Sequence, residues 1–468
     1  MEHISRREAI KRLSVMGVAT SLQPSLLASN PADDYKIVIQ NGSVFTKGSL
    51  RSVNVGITQK NRIVLSKEAI TGKQIIDATG KVVSPGFIDI LADNASNPKQ
   101  TYLTFEKYKL GDGLTTVLQM HGCMADTQGW HQYFGARPHY VNYGGGVFVM
   151  LVRFQQNTLA GRFRQVEKCL DEGALGVCHS IEYQPTPYSE MLGYAKLACK
   201  YNRPLSLHLR YSAENTELKG VQEAIQLAKD TGVRVHIAHL HSTGGTYHMA
   251  EALAMIERAR EEKLDITACV YPYSYWATYL ASKRFDPGWQ ERFKITYKDL
   301  AVVGTGEKLT EASFRRYRTR QGLLVAVPPG TMPLDKTVDL ALKTDFCMVA
   351  SDGGIEKEPV ANNHPRGAGC FATFIQHGQK IGLTMAQILT KITTLPSNLM
   401  RPALNDRGSI ATGNKADITI FDPKEIDAVA TVANPNQFSK GIEAVILNGE
   451  VVYKDKKLLA KRGRLIRY

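Results

Sequence analysis

The sequence predicts an α/β protein: a (β/α)8 TIM-like barrel with a small β-sandwich domain formed by both terminal regions. Three observations predict it. Eight apolar, strand-like runs recur through the middle of the chain, mostly separated by helix-like segments. Strand-and-turn texture brackets that middle on both sides. Two of the middle runs, in "SLHLRYS" and "VHIAHLH", end in His208 and His239, and barrels of this kind gather functional residues at the carboxyl ends of their strands.

The elements follow in order. Residues 1–30 have a basic head, an apolar middle and a small-residue tail, the layout of an export signal. Within them "SRREAIK" pairs two arginines and resembles a twin-arginine signal, so export to a periplasm is the expectation. Residues 31–83 read as short strands with an Asn-Gly turn at Asn41-Gly42. Residues 405–468 have the same texture and a second Asn-Gly at Asn448-Gly449, so the two regions are expected to meet in one β-domain.

Residues 84–404 form the expected barrel. Its strands begin with "VVSPGFIDIL", continue through "GLTTVLQM", "GGVFVMLV", "GALGVCHS", "PLSLHL", "VRVHIAHL" and "LDITACVY", and end with "DFCMVASD". Helical spacing appears in "GVQEAIQLAKDTG" and in "LTMAQILTKITTLP", where Pro396 is expected to stop the helix. The polar stretch 276–333 breaks the rhythm and reads as a lid or insertion over the barrel mouth.

Composition narrows the function classes. The chain of 468 residues has a formal charge of +14. Residues 1–29 hold four basic and two acidic side chains, and their removal leaves +12. The basic residues are scattered, and no basic stripe with stacking aromatics is present, so nucleic acid is not an expected partner. A small-molecule substrate with an anionic group is. No apolar run after the signal is long enough to span a bilayer as a helix. Seven cysteines without CxxC pairing do not make a disulfide framework. The number of subunits is left open.

Several stretches together resemble the amidohydrolase superfamily, and within it the N-acyl-D-amino-acid deacylases. They are "VVSPGFID", "GALGV" with its Tyr-Pro-rich loop, "HLR", "VYPY", "SDG" followed by "HPRG", and "DRGSIATGNKADITIFDP". The resemblance implies a zinc-holding barrel in which His208 and His239 are ligands and Asp352 handles the proton of the attacking water. It also implies that Arg366 and Tyr271 bind the substrate carboxylate, with His364 beside them. Neutral imidazoles suit Zn²⁺, and a nearby carboxylate can pass a proton to a leaving amine. Either histidine alone reads as readily as hydrogen-bonded scaffolding.

The chain departs from the family pattern at three places. Leu91 and Asp93 stand where the first strand has two histidines, and only Asp93 could offer a ligand atom. The family's cysteine ligand aligns with Gly122, between His121 and Cys123; a slip of one residue brings in Cys123, a loop cysteine binding nothing is the equal alternative, and His121 is a further candidate for the site. His241 replaces a lysine of the carboxylate pocket and is a further candidate for the metal or the substrate, as is Arg210 of "HLR" for the site at large. The expectation is one Zn²⁺ per chain, held by His208, His239 and Cys123. The expected reaction is hydrolysis of a linear amide. Alternatives are a lyase or cyclic-amide hydrolase on the same scaffold, or a binding protein without turnover.

Overall fold

The computed structural model describes residues 35–92, 105–320, 322–353 and 364–468. The export signal and Asp93 lie outside the described residues. Eight parallel strands form one sheet in sequential order: β1 (Phe87–Asp89), β2 (Leu114–Met124), β3 (Asn142–Phe148), β4 (Val177–Ser180), β5 (Leu205–His208), β6 (Val235–Ile237), β7 (Ile266–Val270) and β8 (Cys347–Val349). These are the eight runs expected from sequence. Their residues are buried nearly throughout because barrel strands face side chains on one side and helices on the other. At the seam between β8 and β1, side chains make the link. Asp89 accepts hydrogen bonds from the Ser351 backbone (3.0 Å), from the Ser351 hydroxyl and from Lys109 Nζ (2.7 Å), all buried.

The helix Glu217–Thr231 ends at Gly232, whose φ of 70° terminates it in the left-handed conformation. Met385–Ile392 starts from a Thr384/Gln387 capping box. Pro396 does not stop that helix, contrary to expectation. The break comes at Thr393, and Pro396 sits within the short helix Thr394–Leu399, near its start, where few backbone N–H groups have a partner to lose.

Strands from both terminal regions share a seven-stranded sheet. In it Val82–Pro85 pairs with Ser43–Thr46 on one side and with Ile418–Phe421 on the other. One face, with Val44, Val83, Ile418 and Ile446, packs on the four-stranded sheet that contains Tyr35–Gln40. The opposite face, with Phe45, Val82, Phe421 and Val445, joins the core that contains the barrel. The alternation along each strand is that of a sheet buried on both sides. Asn448-Gly449 makes the hairpin turn between Ile442–Leu447 and Glu450–Lys454, with φ of 49° and 81°. Asn41-Gly42 instead carries the chain from the four-stranded sheet to the seven-stranded one.

Within 276–333, three short strands (Ala277–Tyr279, Ala301–Val302 and Leu324–Ala326) make an antiparallel sheet of their own. Among the described residues, no helix is long and apolar enough to cross a membrane.

Candidate metal centre and cavity

A cavity of about 370 Å³ opens at the carboxyl ends of the strands. His121, His208, His239, Tyr271, Asp352 and Arg366 line it from the barrel, and Trp276, Tyr279 and Arg284 line it from the inserted segment. His239 and Asp352 both have left-handed backbone, with φ of 31° and 46°. Such a conformation costs a non-glycine residue on the order of 1–3 kcal/mol and tends to be kept where it aims a functional group.

Three imidazoles converge. His121, His208 and His239 each offer a nitrogen, and the three atoms lie within 4.8 Å of one another. His208 Nδ1 is 3.1 Å from His239 Nε2, and the His121 ring stacks on that of His208 with centroids 5.7 Å apart. Burial holds two of these rings neutral: the pKa of His208 is pushed down to about 4, and that of His239 well below the usual value. Two neutral nitrogens facing each other, with a third close by, form a donor set suited to a divalent cation.

His121 therefore fills the place expected for Cys123. Gln119 pairs with Gly145 and Met124 with Val147, five positions along β2 against two along β3, so β2 bulges outward between them. Gly122 lies in this bulge at φ 112°, and a Cβ there would approach Phe148 to 2.5 Å. The strand's alternation is broken. His121 reaches the cavity, while Cys123 is buried with Sγ toward the Gly146 carbonyl (3.8 Å). Leu91 is likewise buried, in an apolar cluster with Ile90, Leu118 and Met120.

Asp352 stands beside the imidazoles, 3.9 Å from His121 Nδ1. Its carboxylate pairs with Arg366 Nη2 (2.9 Å), and its carbonyl accepts from Arg366 Nε (2.6 Å). The guanidinium also stacks over Tyr271 at 4.3 Å, and its Nη1 is buried with no hydrogen-bond partner among the described residues. His241 packs edge-on against Tyr271 at 4.1 Å, outside the three-imidazole cluster, and neither ring nitrogen has a partner among the described residues. His364 accepts the Arg366 backbone N–H (3.0 Å) and packs against Tyr273 and Tyr275. Arg210 is drawn away into a bidentate pair with Glu223 (2.6 and 2.8 Å), which removes it as a site candidate.

Glu182 and Arg284 were not anticipated. Glu182 follows β4 and accepts from His208 Nε2 (2.8 Å), and Arg284 lies 3.7 Å from the same carboxylate oxygen. Burial alone would raise the pKa of Glu182; the hydrogen bond from His208, with the charge of Arg284 and the hydrogen bond from Ser212, lowers it instead. A carboxylate just past a barrel strand is a signal the sequence does carry, in "HSIEYQP". Arg284 has no comparable signal, being one of many basic residues in a polar stretch.

The model of the Amidohydrolase family matches residues 99–452. N-acyl-D-glutamate deacylase of Alcaligenes xylosoxydans xylosoxydans is 26% identical over 92% of this chain and 96% of its own. A dihydroorotase of Clostridium acetobutylicum is 25% identical over 90% of this chain and 100% of its own. The crystal structure of N-acyl-D-glutamate deacylase from Bordetella bronchiseptica, with zinc and a phosphonate inhibitor, superposes with a TM-score of 0.78 at 23% identity, covering 93% of this chain and 100% of that one. With the barrel, the imidazole cluster and a family match over most of its length, the chain belongs to the amidohydrolase family, as a hydrolase of carbon–nitrogen bonds other than peptide bonds.

Proposed function

We propose that this chain is a single-metal amide hydrolase that removes the acyl group from a small, anionic N-acylated substrate, as its N-acyl-D-glutamate deacylase relative does by name. The observation that carries the reading is the placement of three imidazoles, one carboxylate and two guanidinium groups around one cavity. His121, His208 and His239 would hold the ion. A divalent ion supplies Lewis acidity and acidifies water, which is the chemistry an unreactive amide requires.

The protein's own groups do the rest. Asp352 takes the proton from the attacking water and returns it to the departing amine. Arg366 orients that carboxylate through Nη2, while its buried Nη1, without a partner among the described residues, donates to an anionic substrate group, backed by the Tyr271 ring. Arg284 adds a second positive charge across the cavity. Burial of Leu91 supports one ion instead of two. The residue 1–30 segment supports export, which cell fractionation of the full chain tests.

A second reading, opening of a cyclic amide, draws on the dihydroorotase match. Assays on N-acyl-D-amino acids and on cyclic amides, run in parallel, separate the two. The decisive experiment measures metal per chain by elemental mass spectrometry together with turnover. About one zinc is expected in the native protein and none in a His208→Ala/His239→Ala double variant. Asp352→Asn is expected to lower kcat by roughly 100-fold or more; undiminished turnover rules out its proton-transfer role.

A further inference from the structure

We propose that Glu182 is the positioning residue that makes His208 a metal ligand, by holding the imidazole in the tautomer whose Nδ1 is free. The inference rests on the metal reading above and concerns a residue which that reading does not use. His208 has a close neighbour at each ring nitrogen. Nε2 meets Glu182 Oε2 at 2.8 Å, and Nδ1 faces His239 Nε2 at 3.1 Å. An ionised carboxylate can only accept, so Nε2 carries the hydrogen and Nδ1 presents its lone pair to the cluster.

His239 is fixed by the same logic through a different group. The Ser242 hydroxyl donates to the His239 carbonyl (3.0 Å), so its remaining lone pair accepts His239 Nδ1–H (3.0 Å) and leaves Nε2 bare. Two bare nitrogens pointing at each other repel unless a cation lies between them. Glu182 and Ser242 thus set both rings for a cation before one arrives.

The two supports differ in strength and origin. Ser242 is local, three positions along from its histidine. Glu182 comes from the loop after the neighbouring strand, and it is held in turn by Ser212 through Oε1 and by Arg284 at 3.7 Å from Oε2. A carboxylate behind a ligating imidazole also makes the ring more basic toward the metal, and removing such a partner typically weakens metal binding 10–100-fold. Arg284 belongs to the inserted segment, so that segment meets the carboxylate that supports His208.

The test measures zinc affinity of the full-length protein by competition with a chromogenic chelator, for the unsubstituted chain, Glu182→Leu, Glu182→Gln and Ser212→Ala. Glu182→Leu is expected to raise the zinc Kd 10–100-fold. Glu182→Gln keeps an acceptor without the charge and is expected to fall between; Ser212→Ala loosens Glu182 without removing it and is expected to weaken binding less than Glu182→Leu. Zinc bound equally tightly by Glu182→Leu overturns the inference and leaves the metal reading standing. No zinc bound by the unsubstituted chain overturns both. A second measurement needs no folded variant at position 182: ¹⁵N spectra of histidine-labelled, metal-free protein, with the His208 signals assigned. A hydrogen on His208 Nε2 is the expected result, and a hydrogen on Nδ1 overturns the inference.

Discussion

Single positions decide which atoms meet in this cavity. His208, His239, Asp352 and Arg366 were legible in the sequence because each stands at, or just past, the end of a recognisable strand. His121 was not singled out over Cys123: the gapless alignment falls on Gly122 between them, a slip of one residue favoured the thiolate, and the bulge around Gly122 that brings in His121 leaves no mark in strand periodicity. The two residues give a clean experiment. His121→Ala is expected to lose most bound zinc, whereas Cys123→Ser is expected to keep it, since Sγ is turned to the Gly146 carbonyl. Elemental analysis of both variants decides it; zinc lost from Cys123→Ser alone would restore the cysteine as ligand. Arg210 shows the reverse error. Its place in "HLR" suggests the site, but Glu223 satisfies its fork, and that pairing depends on a helix thirteen positions away.

Elements were legible in kind and order, less so in their junctions. All eight barrel strands follow from apolar runs of suitable length, whereas the closing seam rests on side chains that no periodicity marks. Lys109, on the helix Glu106–Gly111, reaches Asp89 and Ser351, each at 2.7 Å from its Nζ, with side-chain exposures of 1% for Lys109 and 0% for Asp89. Removing one partner of a buried pair strands the other charge. Lys109→Met is therefore expected to destabilise the fold by roughly 3–5 kcal/mol, read from denaturant unfolding. A change below about 1 kcal/mol would mean that the seam does not depend on this pair. The inserted segment was anticipated as an interruption over the mouth; that it builds its own sheet and contributes Trp276, Tyr279 and Arg284 to the cavity wall was not, because its strands are two or three residues long.

For the molecule as a whole, buried imidazoles make stability depend on pH. Burial pushes the pKa of both His179 and His236 from 6.5 down to about 3. In the unfolded chain they take up protons near their ordinary pKa, and in the folded one they resist until about 3. The unfolded state thus binds more protons across that window, so stability is full above about 6.5 and falls as pH drops toward 3. Thermal melts of metal-free protein should show this acid limb, and His236→Asn should flatten it. An unaltered slope would assign the limb to other groups. The joining of both terminal regions in one sheet was foreseeable from their shared texture, but its double-sided packing was not, since strand runs alone do not say what lies on each face.

That sheet also orders events in time. Val82–Pro85 needs Ile418–Phe421 as its neighbour, and Ile418 follows Val82 by 336 positions. At a synthesis rate of 5–20 residues per second, the first strand waits roughly 15–70 s for the second to exist. Through that interval its edge offers unpaired N–H and carbonyl groups to any passing strand. The nascent chain is thus expected to need that edge covered until its last tenth emerges, and a chain cut before Ile418 is expected to aggregate although it holds every barrel strand, which sedimentation of the cut and uncut products checks.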